Sequence, residues 1–209
     1  MAEKKEVGIS GEGSANQAEA LHEAALEALN RKDFDAAREG FTKALAAFEA
    51  AGDPVGQAMT RHNLGLVCQE TEDLDGAQKW FEKSLAGSEK EGLDGGIAVT
   101  CHQLGMVAQL KEDYPTAKKW YRRALEMEEK LENSHGEART CHQLGIVAHY
   151  AGEVAAAKMW YGRAVSVFES LGDKPHADQT KKLLDYITDY ERQGGDLEHP
   201  DCPHHQHEQ

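Results

Sequence analysis

Apolar and small residues recur along the chain at intervals of three, four and seven positions, which is the spacing of one face of an α-helix. Leu104, Val107 and Ala108 show this spacing, and so does the run from Ala117 to Leu125. Short polar segments separate such runs, and Asp113 stands where an acidic side chain can cap the helix that follows. The pattern predicts an all-α chain of antiparallel helical hairpins.

The helical pattern repeats along the sequence. Residues 101–140, which begin CHQLGMVAQ, align without a gap with residues 141–180, which begin CHQLGIVAH, so that the repeat period is 40 residues. Stepping back by the same period gives weaker copies, and four hairpins are therefore predicted. Their predicted ranges are 21–60, 61–100, 101–140 and 141–180.

The two ends of the chain differ from the repeats. Residues 177–192 carry one apolar face and are predicted to form a helix that caps the last hairpin. Residues 1–17 and 193–209 hold little that could be buried, so the first is predicted to be a disordered segment and the second a flexible, His-rich tail. The predicted folded domain therefore spans residues 18–192.

The repeated units resemble the tetratricopeptide repeat (TPR) family. The resemblance rests on Leu104-Gly105 in the first helix of a unit and on Ala117, Tyr121 and Ala124 in the second. The blocks exceed the family's usual ~34 residues and are similar to the long repeats of kinesin light chains, spindle-orientation adaptors and bacterial multi-repeat proteins. The resemblance implies a right-handed superhelical solenoid, whose first helices line a concave groove that binds peptides or helices of partner proteins.

The inward positions of the first helices recur with the same period and are predicted to form a partner-binding wall. About half of these residues are apolar, and amides and imidazoles lie between them, which suits an amphipathic helix or an extended segment of a partner. The predicted contact residues are His62, Asn63, Leu66, Gln69, His102, Gln103, Met106, Gln109, Leu110, His142, Gln143, Ile146, His149, Tyr150, Lys182 and Tyr186. We therefore predict a protein interaction module or adaptor without a cofactor.

A histidine occupies the same place in all four units, at His22, His62, His102 and His142. Packed helices lie roughly 8–10 Å apart, whereas two imidazoles that share a zinc ion each need a distance of about 2.0 Å to the metal. The row of histidines is therefore not expected to chelate. We interpret these imidazoles as partly buried hydrogen-bonding elements of the repeat, some of which touch a partner.

Two alternative functions remain open at this point. Flexible histidine and cysteine side chains can gather around an ion, which makes the tail a candidate for a metal-binding or metal-responsive protein, although a solvated tail without metal is the simpler interpretation. The candidate metal ligands are His199, Cys202, His204, His205 and His207. The other alternative is a self-associating scaffold, in which exposed end units form a homo-oligomer.

The charge and the missing motifs exclude other classes. The chain has 37 acidic and 23 basic residues, a formal net charge of −14, which disfavours binding to nucleic acid and to anionic membranes. It contains no G-x-S-x-G, phosphate-binding glycine loop or H-E-x-x-H, so an enzyme is not expected. Met1 to Ala20 lack a signal-peptide pattern, and Cys68, Cys101 and Cys141 fall in apolar helix patterns, as expected for core thiols of a cytoplasmic protein.

Overall fold

The computed structural model describes residues 11–192. Nine α-helices and no strand occur in this range, and connections of two or three residues join them. The helices are α1 (Gly11–Asn30), α2 (Phe34–Ala51), α3 (Pro54–Glu70), α4 (Leu74–Lys90), α5 (Asp94–Leu110), α6 (Tyr114–Lys130), α7 (Ser134–Tyr150), α8 (Val154–Ser170) and α9 (Lys174–Arg192).

The helices belong to two compact units. In the unit that ends at Lys111, each of α1 to α4 packs against the helix that follows it. In the unit that begins at Glu112, α6 to α8 do the same, and α9 covers α8. The all-α architecture of TPR hairpins with a closing helix, predicted from the sequence, is confirmed.

Every turn between helices contains one residue in the left-handed backbone region, and these residues recur every 20 positions. Glycine, the residue best suited to this conformation, occupies half of the turns, and lysine or glutamate occupies the other half. The φ values lie between 54° and 72° at Lys32, Gly52, Glu72, Gly92, Glu112, Glu132, Gly152 and Gly172. A left-handed residue after each helix reverses the chain, so that consecutive helices pack side by side.

Polar side chains cap the helices that follow these turns. The Asp73 carboxylate accepts a hydrogen bond from the Gly76 N–H at 2.9 Å, and the Asn133 amide oxygen accepts one from Gly136 at 3.1 Å. The capping role predicted at Asp113 is confirmed, because its carboxylate accepts a hydrogen bond from the Thr116 N–H at 3.1 Å. Glu153 differs, because it precedes α8 without a side-chain hydrogen bond to the helix N-terminus.

Close approach of paired helices depends on glycine. A Cβ atom added to Gly65 of α3 would lie 2.5 Å from Cε1 of Phe81 in α4, and one added to Gly145 of α7 would overlap the ring of Tyr161 in α8. Both rings are fully buried. The glycine of the predicted Leu-Gly pair therefore leaves room for the aromatic ring of its own hairpin.

The helix boundaries differ from the predicted ones at two places. Helix α1 begins at Gly11, so residues 11–17 are helical and not disordered; the helix continues through Ala18, which is fully buried against Ala44 and Phe48. Helix α9 begins at Lys174 and not at 177. The first helix of the second hairpin begins at Pro54, directly after its cap Asp53. Residues 1–10 and 193–209 lie outside the described range.

Candidate partner-binding surface

In the unit that ends at Lys111, a buried hydrogen bond joins α1 and α3, which are the first helices of two successive hairpins. Nδ1 of His22 on α1 lies 2.9 Å from Oγ1 of Thr60 on α3. The Thr60 hydroxyl donates to the carbonyl of Gly56 at 2.7 Å, so its oxygen accepts from His22. The proton of the neutral imidazole is therefore on Nδ1, and Nε2 is an acceptor. The Asn63 amide nitrogen lies 3.0 Å from that Nε2 and donates to it.

The same pair of residue types recurs in the following repeats. Nδ1 of His62 lies 3.2 Å from Oγ1 of Thr100, and in the unit that begins at Glu112, Nδ1 of His142 lies 2.8 Å from Oγ1 of Thr180. The interpretation of the histidines as partly buried hydrogen-bonding elements agrees with these contacts. The imidazoles therefore join neighbouring repeats.

Burial sets the protonation state of these histidines. It lowers the pKa of His22, against a smaller opposing effect of Glu23, and lowers the pKa of His62 to about 4. Both imidazoles are therefore neutral at physiological pH. Neither imidazole therefore adds a positive charge to the wall formed by the first helices.

The amides predicted beside the histidines have different environments. Asn63 uses its amide nitrogen within the fold, on His22. The side-chain oxygens of Gln69, Gln103 and Gln143 are buried and have no hydrogen-bond partner among the described residues. The bond to His22 uses one N–H of Asn63, so its second N–H and its oxygen can still meet the backbone of a partner.

Three apolar side chains in the N-terminal halves of the first helices α3 and α5 are exposed. Val55 is 41% exposed, Met59 53% and Val99 50%. They line a cavity of about 480 Å³ between α3 and α5, and His62 and Thr100 lie in its wall. These three residues were not among the predicted contacts, because the prediction rested on positions that are alike in the repeats. A signal was present in the sequence, since three of the four positions equivalent to Met59 are polar or charged: Glu19, Arg139 and Gln179.

A second cavity, of about 390 Å³, lies beside the first in the same unit. Val55 and Met59 line both cavities and form the ridge between them. Three carboxylates, but no lysine or arginine, are among the described residues that line the second cavity. These carboxylates belong to Glu19, Glu23 and Asp53.

The other predicted contact residues of this unit vary in exposure. His102 is buried and Leu110 is 56% exposed. The following are half-buried: Leu66, Gln69, Gln103, Met106 and Gln109. The exposed apolar residues Val55, Met59 and Val99 thus lie closer to the N-termini of α3 and α5 than the predicted residues, whereas the predicted Leu110 is exposed at the end of α5.

In the unit that begins at Glu112, the predicted residues form an aromatic cluster. The ring of Tyr150 stacks on Tyr114 with centroids 5.8 Å apart, and His149 lies 6.0 Å from Tyr150 and 6.1 Å from Tyr186. His149 is buried, whereas Tyr186 is 37% exposed. Among the other predicted residues of this unit Ile146 is buried in the core, His142 and Gln143 are half-buried, and Lys182 is exposed.

Within residues 11–192, no group of three or more histidine, cysteine, aspartate or glutamate side chains is arranged to hold a metal ion. The metal ligands predicted in the tail lie outside this range. No helix in the described part of the chain combines the length and the apolar character needed to cross a membrane. Cys68, Cys101 and Cys141 are buried free thiols, as predicted, and burial raises the pKa of Cys141 to about 12.

Comparison with known proteins identifies the family. The tetratricopeptide repeat model matches residues 16–90 and 96–170, which is more than half of the chain. The chain belongs to the tetratricopeptide repeat family, whose fold is a general scaffold for protein interaction. No curated protein matches the chain by sequence.

Three solved structures share the fold at low sequence identity. BtubC (BKLC) from P. vanneervenii is 18% identical with a TM-score of 0.68, covering 92% of this chain and 86% of its own. Aspartyl phosphate phosphatase F from Bacillus subtilis is 13% identical with a TM-score of 0.79; the match covers 87% of this chain and 49% of the phosphatase. A kinesin light chain candidate from Podosopora anserina with nearly identical TPR-like repeats is 14% identical with a TM-score of 0.62, covering 87% of this chain and 99% of its own. These likenesses show the fold alone.

Proposed function

We propose that this protein is an interaction module without catalytic activity, which binds a peptide or amphipathic helix of a partner protein. The binding surface is the wall formed by the first helices α1, α3 and α5 in the unit that ends at Lys111. The observation that carries the proposal is the exposed apolar ridge of Val55 and Met59, which lies between two adjoining cavities.

The fold does not require apolar side chains on this ridge. Positions equivalent to Met59 under the 40-residue period hold Glu19, Val99, Arg139 and Gln179, and every one of these side chains is exposed. Three of the five equivalent positions, the last of which lies on the closing helix α9, thus hold a polar or charged residue, as expected for a solvated surface. Met59 and Val99, at the mouth of one cavity, depart from this rule, and apolar side chains gathered on an open surface mark interaction sites.

The shape of the surface favours a segment of protein over a small molecule. The two cavities adjoin along one face, so that a chain segment can place successive apolar side chains in them. Both cavities are also open to solvent, whereas small-molecule sites bury most of the surface of the ligand. The aromatic cluster of His149, Tyr150 and Tyr186 remains a predicted contact surface of the other unit. The buried free thiols suit a reducing compartment, and we place the protein in the cytoplasm.

A selection from a phage-displayed random dodecapeptide library on the full chain tests the proposal. Peptides selected on the intact protein are measured by fluorescence anisotropy against two variants. Met59→Glu puts a charge on the ridge and is expected to weaken binding at least tenfold. Met159→Glu on α8 is the matched control, since Met159 is 57% exposed, much like Met59 at 53%. It lies on the second helix of its hairpin, outside the proposed binding wall. Equal affinities for both variants, or failure to select any peptide, would overturn the proposal.

A further inference from the structure

One position near the end of each second helix shows where the repeats differ. Under the 40-residue period this position holds Phe48, Ser88, Glu128 and Phe168, and all four side chains are buried. The ring of Phe48 lies against Gly56, where a Cβ atom would overlap it. Three periods after Gly56 stands His176, and the ring of Phe168 stacks on its imidazole with centroids 5.3 Å apart. The first and fourth hairpins therefore fill this place with their own aromatic ring.

The second hairpin has the glycine that adjoins the ring in the first hairpin, but it has no phenylalanine at the end of its second helix. Ser88 replaces the phenylalanine, and Gly96 stands where Gly56 leaves space for Phe48. Ser84 takes the place of the alanine found in the other three repeats, and its hydroxyl donates to the Ala58 carbonyl at 2.8 Å. The cavity of about 480 Å³ is lined by both serines and Gly96. The equivalent cavity of the first hairpin is lined by Phe48 and Gly56 and measures about 390 Å³, so the cavity is larger where serine replaces phenylalanine.

We propose that this cavity, which is named here the Ser88 pocket, receives an aromatic side chain of the bound partner segment. The inference rests on the proposed function and specifies its anchor residue. An apolar cavity of ~150 Å³ can hold benzene, so the volume of this cavity is sufficient for a phenylalanine, tyrosine or tryptophan side chain. Met59 and Val99 lie at the mouth, where they cover the inserted ring, and His62 and Thr100 line the interior.

The neighbouring cavity indicates the charge of the partner. Its lining includes the carboxylates of Glu19, Glu23 and Asp53, and it shares Val55 and Met59 with the Ser88 pocket. A segment anchored in the Ser88 pocket therefore runs beside three negative charges. Complementary charges steer association and suppress binding of acidic segments. The occupant is thus a partner peptide with an aromatic anchor, flanked on one side by lysine or arginine.

Nuclear magnetic resonance with a small probe tests the pocket directly. The full chain, labelled at its methionine methyl groups, is titrated with N-acetyl-phenylalaninamide and, separately, with N-acetyl-leucinamide. The methyl signal of Met59 is expected to shift with the aromatic probe and to shift less with the aliphatic one, while that of Met159 stays in place. No shift at Met59, or equal shifts with both probes, would overturn the inference.

Filling the pocket from inside provides the matched mutational test. Ser88→Phe restores the residue type found at Phe48 and Phe168, and is expected to abolish the shift at Met59. Ser166→Phe adds the same ring to an exposed position of α8 and is expected to leave the shift unchanged. If Ser88→Phe fails to fold, Val99→Glu at the mouth replaces it, with the same expected loss. A shift that persists in the folded Ser88→Phe protein contradicts the proposal.

The peptides selected from the library separate this inference from the proposed function. If the peptides bind through the ridge but not through the pocket, Met59→Glu weakens their binding and Ser88→Phe does not. That result refutes only the aromatic anchor and leaves the proposed function in place. Anchored peptides are expected to lose at least tenfold in affinity with Ser88→Phe and on replacement of their aromatic residue by alanine. Dimers that dissociate with Ser88→Phe, or probe binding that requires removal of residues 1–10, would identify the chain itself as the occupant and overturn the proposal.

Discussion

His22 on α1 and Thr60 on α3 form a buried hydrogen bond of 2.9 Å that joins two first helices across a sequence separation of 38 residues. The same separation recurs between His62 and Thr100 and between His142 and Thr180. His22 and His62 each bond to the threonine that stands two positions before the next histidine of the row, whereas Lys182 stands two positions after Thr180. The histidine and threonine that recur with the 40-residue period thus form a hydrogen bond from one repeat to the next.

Removal of the Thr60 hydroxyl is expected to destabilise the fold. Thr60→Val keeps the shape of the side chain but leaves the buried Nδ1–H of His22 without an acceptor, at a cost of about 1–3 kcal/mol in the free energy of unfolding. Thr42→Val is the control, because the exposed Thr42 hydroxyl donates only to the Arg38 carbonyl of its own helix. Urea denaturation followed by circular dichroism measures both. Equal midpoints for the two variants would show that the bond contributes nothing.

The sequence predicted the helices well because the cues for them are local. Apolar spacing and the acidic cap at Asp73 depend on residues only a few positions apart. The pairing of His22 with Thr60 was not predicted, although both residues recur every 40 positions, because spacing does not show which face of a helix meets its neighbour. The Ser88 pocket was missed for a different reason. The pocket is enlarged where Ser88 replaces the phenylalanine of two other repeats, whereas the predicted contact residues are those that recur in register.

The contrast between two glycines predicts opposite effects of the same substitution. Gly65→Ala places a methyl group 2.5 Å from the Phe81 ring, and overpacking of this kind costs about 1–3 kcal/mol. Gly162→Ala on α8 meets no atom within 4 Å, so it gains the helix propensity of alanine, up to about 1 kcal/mol. Thermal unfolding of both variants tests this. A gain in stability for Gly65→Ala would show that α3 and α4 can move apart freely.

The neutral state of His62 predicts a loss of stability in mild acid. Burial lowers the pKa of this imidazole to about 4 in the fold, whereas an unfolded histidine titrates near ~6.5. The unfolded state therefore binds the proton more tightly, and stability falls as the pH drops from about 6.5 towards 4. His62→Gln is expected to lessen this dependence, as measured by urea midpoints at several pH values. A slope identical to that of the wild type would contradict the depressed pKa.

The left-handed turn residues provide the last test, because the same backbone conformation is occupied by glutamate in one turn and by glycine in the next. Glu72 has a φ of 60° and Gly92, one turn later, has a φ of 67°. A side chain in this region costs about 1–2 kcal/mol. Glu72→Gly is therefore expected to raise the free energy of unfolding by about 1 kcal/mol, and Gly92→Glu to lower it by a similar amount. The double variant, which exchanges the two residue types, is expected to match the wild type in a urea titration. If both single variants destabilise the protein, then the Glu72 side chain contributes an interaction that outweighs its backbone strain.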